Sequence, residues 1–160
     1  MRWAIFSILI FNLSFSQGKW YDGNLKGIDE INLDVNLQGS DETTWRARIN
    51  QFIQLSLLDH KLKMTVKNPM PKLIVDIHII DSSVEPVSSF LINYSVYNYG
   101  ISESIYYKFL ADTLITKKLM THRIYGQEIL GQSSSGRLYP DIEKGVKQLT
   151  SAFIDQVVPG

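Results

Sequence analysis

The 160-residue chain has no cysteine. That removes disulfide frameworks, thiolate zinc sites, iron–sulfur clusters and thiol nucleophiles together. It also removes the lipidated cysteine that anchors bacterial lipoproteins. Charge of one sign is missing as well: sixteen basic side chains face sixteen acidic ones. No Lys/Arg block is dense enough to track a phosphate backbone or an anionic membrane, so neither a nucleic-acid partner nor a polybasic membrane contact is expected. After the amino terminus no apolar run approaches the ~20 residues of a spanning helix, and no integral membrane segment is expected once the leader is gone.

What is present begins with that leader. Arg2 is followed by an apolar run from Ala4 to Leu13, and Ser14-Phe15-Ser16 puts small residues where a signal peptidase cuts. Residues 1–16 therefore read as a cleavable signal peptide, which places the mature chain in the periplasm or outside the cell. Residues 17–27 read as a flexible leader and 28–160 as one domain. A domain of that size can bury enough surface to fold without staples.

The hydrophobic periods give the layout. Ile31 to Leu37 alternate as a strand. A helix is expected from about Glu42 to His60, with Trp45, Ile49, Phe52, Ile53 and Leu57 on one face and Ser40 or Asp41 as cap. Leu62, Met64 and Val66 suggest a short strand. Leu73–Ile80 and Phe90–Tyr97 are two clear strands, and Tyr99-Gly100 reads as a turn. Further strands are expected near Glu103–Leu110 and Lys118–Leu130, then a serine-rich loop from Gly131 to Gly136. Pro140 opens a last helix whose stripe is Ile142, Val146, Leu149, Phe153 and Val157, with Gly145 beside it where close packing on the sheet is expected. The sum is an α+β fold: a mostly antiparallel sheet of about five strands with two amphipathic helices on one face.

The chemical motifs do not assemble a catalytic set. Gly131 to Leu138 has P-loop glycine spacing, but Arg137 and Leu138 stand where lysine and a magnesium-binding hydroxyl are needed. Gly131 and Ser133 begin a nucleophile elbow that Ser135 breaks. Asp76, His78 and His122 could meet around a metal only if strand register brought them together. The carboxylates of Asp76, Glu85, Glu103 and Glu128 are dispersed, and Glu143, Lys144 and Lys147 read as a solvated helix face. No enzyme activity, metal or cofactor is expected. Tyrosine is enriched across the strands, and a binding surface is expected from Tyr97, Tyr106, Tyr125 and Arg123.

The early strand (Ile31–Leu37), the helix over Trp45–Leu57, the proline-led strand Pro71–Ile80, the long hairpins and the closing helix through Phe153-Ile154-Asp155 resemble the small periplasmic α+β domains of bacterial envelope accessory proteins. Examples are the lipopolysaccharide-assembly lipoprotein of the outer membrane and the amino-terminal domain of the Tol translocation protein. The resemblance is one of layout and carries over no site residue. It implies an exported accessory domain that works by contact with an envelope protein. A carrier of a small apolar or lipid-like ligand, held between helices and sheet, is the alternative.

Overall fold

A computed structural model describes residues 24–39, 43–81, 87–101, 119–134 and 136–157. The signal peptide, the caps Ser40 and Asp41, the strand expected at Glu103–Leu110 and the site candidate Tyr106 lie outside these residues. The elements run β1 (Glu30–Gln38), α1 (Thr43–Asp59), β2 (Lys63–Met64), β3 (Lys72–Asp81), β4 (Val87–Gly100), β5 (Met120–Ser134) and α2 (Leu138–Val157). The sheet order is β2-β1-β3-β4-β5.

The sheet is mixed, which corrects the antiparallel expectation on one side. β1 runs parallel to both β2 and β3, while β3, β4 and β5 pair antiparallel. The cause is a crossover. Parallel neighbours need a long connection, and α1 supplies it between β1 and β2. Residues 65–71 then carry the chain past β1. Thr65 N–H donates to Ile31 O at 3.0 Å, and Asn32 N–H donates to Pro71 O at 2.9 Å. β3 thereby starts on the other side of β1 in the same direction.

Both helices lie on one face. Val75, Ile77, Ile92 and Tyr94 of the sheet share the core with Ile49, Ile53 and Leu57 of α1 and with Ile142, Val146 and Phe153 of α2. Each large apolar side chain so buried contributes roughly 1.5–3 kcal/mol. The packing reaches into the stretch read as a flexible leader, for Leu25 is 1 % exposed in that core. Gly145 sits where a Cβ would lie 2.6 Å from Ile92 Cδ1, so α2 does rest close on β4.

Two sequence expectations about β4 and β5 are overturned. Tyr99 and Gly100 continue β4, opposite Thr121 and Met120, rather than turning the chain. Gly131 to Ser134 continue β5, opposite Phe90 to Val87, rather than forming a loop. Gly131 has no side chain to cover its position, and the Phe90 ring fills that space. Inside the core the Tyr94 hydroxyl and Thr150 Oγ1 are 2.7 Å apart. Thr150 already donates to Val146 O, so the tyrosine is the donor between them. Burial pushes the Tyr94 phenol well above its ordinary pKa, and it stays protonated.

α1 ends in a hydrogen-bonded hook. Leu62 N–H donates to Leu57 O at 3.0 Å and Lys61 N–H to Leu58 O at 2.9 Å. Lys61 closes it with φ 65, a left-handed position that glycine fills more readily. Lys61→Gly should therefore raise stability by about 1 kcal/mol, read as a higher urea midpoint at unchanged m-value.

Candidate functional site

Among the described residues no helix covers the second face of the sheet. Strand alternation puts Asp34, Asn36, Lys72, Asp76, His78, Asn93 and Tyr97 there, because their neighbours in sequence point into the core. Register then sorts them into transverse rows. Asn36, Asp76, Asn93 and Glu128 form one polar row across four strands. Within it Asn36 Nδ2 donates to Asp76 Oδ1 at 2.9 Å. Lys72 pairs with Asp34 at 2.8 Å nearer the start of β3. The Asp76 carboxylate is thus committed to a neighbour.

The next row toward the end of β3 is His78, Leu91 and Leu130, with Ile80 one step beyond. Leu130 is 78 % and Ile80 70 % exposed. They stand on the strands either side of β4, and large apolar side chains exposed on one sheet face mark a contact surface more often than isolated ones do. At the opposite end Tyr97 stands across from Arg123. The Arg123 guanidinium lies over Gly126, in the space that a side chain at Gly126 would need. Tyr99, half exposed, extends that end.

The tyrosine–arginine set expected from sequence is thus split. Tyr97 and Arg123 are brought together on the helix-free face. Tyr125 is on the other face, 1 % exposed, with its ring 5.5 Å from that of Phe153. Burial holds its phenol well above the ordinary range too. The divide arises at a β-bulge. Tyr125 is opposite Val96 and Arg123 is opposite Tyr97, so Ile124 is an extra residue and the alternation shifts by one. The same shift separates the three candidate metal ligands. His122, opposite Asn98, falls on the helix side, whereas Asp76 and His78 are on the other.

Sequence reasoning missed a second feature, the seam between α1 and α2. Glu143 was expected in a solvated row, yet its Oε1 accepts from Trp45 Nε1 at 3.2 Å and pairs with Arg48. Trp45 meets Tyr139 edge to face at 4.6 Å. Lys147 Nζ sits 5.7 Å from the centroid of the Phe52 ring. The Arg48–Glu143 pair and the Lys147–Phe52 contact border a cleft of about 180 Å³, lined by Arg48, Ile49, Phe52, Glu143, Val146 and Lys147. The signal was in the sequence: Arg48 and Phe52 are one turn apart on α1, and Glu143 and Lys147 one turn apart on α2. Only the tertiary pairing of the helices brings the two pairs together.

No protein-family model matches the chain, and no curated protein matches it. Solved structures give distant likenesses. One is a hypothetical protein from Chlamydia trachomatis, at TM-score 0.42 and 9 % identity, covering 82 % of this chain and 98 % of that one. Another is a minor lipoprotein from Acinetobacter baumannii, at TM-score 0.35 and 6 % identity, covering 81 % and 90 %. Neither likeness names a family for this chain. Among the described residues no helix is long and apolar enough to cross a membrane.

Proposed function

We propose that this chain is an exported, non-catalytic accessory domain of a bacterial envelope, acting by protein–protein contact through the helix-free face of its sheet. The leader-like first sixteen residues support export. The observation that carries the contact reading is the sheet face that no helix covers among the described residues: Ile80 and Leu130 stand mostly exposed toward one end of it, and half-exposed Tyr99 lies near Tyr97 and Arg123 toward the other. Aromatic, arginine and large aliphatic side chains at the ends of a polar row are the composition of an interface. The alternative carrier would hold its ligand between helices and sheet. That space is occupied by Ile53, Ile92, Tyr94, Tyr125 and Phe153, each at most 1 % exposed, and lends the carrier no support.

The test is a photo-crosslinking residue placed in living cells at Leu130 or, as control, at Leu55, a half-exposed position on α1. Discrete protein adducts are expected from position 130 and not from position 55. No adduct from position 130, or the same adducts from both, would overturn the proposed surface. Recovery of the protein from the cytoplasm with Met1 intact would overturn export.

A further inference from the structure

We infer that the cleft between α1 and α2 is a binding site for a small organic carboxylate with a compact apolar body, such as a single ring or a short branched chain. This goes beyond the contact reading, since the cleft is on the helix layer and not on the open sheet face. Its floor is apolar: Ile49 is 3 % and Val146 1 % exposed, and the Phe52 ring forms a wall. Its rim is cationic, with Arg48 from one helix and Lys147 from the other.

The charge balance at the rim selects an anion. Among the described residues Glu143 is the cleft's one carboxylate, and it is held by both the Trp45 indole and the Arg48 guanidinium. Among the described residues Lys147 has no carboxylate partner and leans over Phe52 instead. A cleft with that floor and an unneutralised ammonium at its rim is complementary to a negative charge beside an apolar group. Size limits the rest of the ligand. About 180 Å³ is the room of roughly six water molecules at ~30 Å³ each. Drug-sized ligands take pockets of about 300–1,000 Å³, so one ring fits and a long acyl chain does not. The ring would rest on Ile49, Phe52 and Val146, and the carboxylate would reach Lys147 and share Arg48 with Glu143.

The probe is phenylacetate, titrated into the full-length protein and followed by amide NMR. Two matched compounds separate the parts of the inference: phenethylammonium keeps the ring and reverses the charge, and acetate keeps the charge without the ring. Phenylacetate is expected to give saturable shifts at Arg48, Phe52, Val146 and Lys147, and the other two are expected to give none there. Lys147→Glu, at an exposed position, should weaken phenylacetate at least about tenfold. Glu143→Gln should tighten it, because glutamine still accepts from Trp45 while Arg48 is released. A purely structural role for these side chains moves both variants in the same direction. Equal response to all three compounds, shifts elsewhere only, or no opposition between the two variants would overturn the site. So would binding of a capped Asp-Phe-Asp peptide without binding of phenylacetate, which would make the cleft an anchor for a protein segment.

Discussion

Gly39→Ala is expected to lower the melting temperature by roughly 10 °C, the equivalent of about 3 kcal/mol in a domain of this size. Two separate penalties meet at that residue. Gly39 has φ +84, which alanine adopts only with strain. A Cβ there would also overlap the carbonyl oxygen of Ile79, a backbone atom fixed in the β3 ladder. The chain leaves β1 across the end of β3 at a distance only glycine allows. Gly27 separates the two penalties. It has φ +82 with nothing within 4 Å of a Cβ. Gly27→Ala should therefore cost only the conformational part, about 1 kcal/mol. Calorimetry of the two variants checks the argument; equal losses would show that the Ile79 contact is unimportant.

The second large effect is expected at Gly145. Leucine there would push four extra carbon atoms between α2 and Ile92, in a region already filled, and should destabilise by about 3 kcal/mol. Alanine should behave differently. Its Cβ would crowd the terminal methyl of Ile92, which can rotate, and make ordinary contact with Ile129, while the helix gains up to about 1 kcal/mol from losing a glycine. The net change for Gly145→Ala should lie within about 1 kcal/mol of zero. Denaturant titration of both variants gives the comparison. A leucine variant as stable as the parent would mean that α2 does not lie close on the sheet.

Much of this architecture was legible where one period dominated a segment. β1, β3 and the middle of β4 alternate cleanly, and both helices carry stripes at three and four. What escaped the sequence has local causes. Gly131 to Ser134 have little strand propensity of their own, and β5 holds them because Phe90 supplies the missing side chain from across the ladder. The parallel pairing of β1 depends on which side of it residues 65–71 pass, and no periodicity encodes that. Tyr97 falls opposite the buried Phe90, Ile92, Tyr94 and Val96 because β4 alternates regularly through it. Arg123 and His122 could not be placed relative to Tyr125 because one extra residue, Ile124, reverses the alternation between them and the rest of β5. Glu143 and Lys147 looked like solvated charges because a single helix cannot show what its neighbour brings alongside.

The strand order also governs when this chain can fold. β1 is made first, yet it lies inside the sheet, with both of its neighbours encoded later. Its last ladder partner, His78, follows it by forty residues. An emerging polypeptide can pack Ile31 and Val35 against α1 and pair the start of β1 with β2, but the other edge of β1 stays open until β3 exists. The hairpins of β3, β4 and β5 have no such wait, since each pairs with the strand next in sequence. One edge of β1 is thus a vacancy that only a segment forty residues further on can fill.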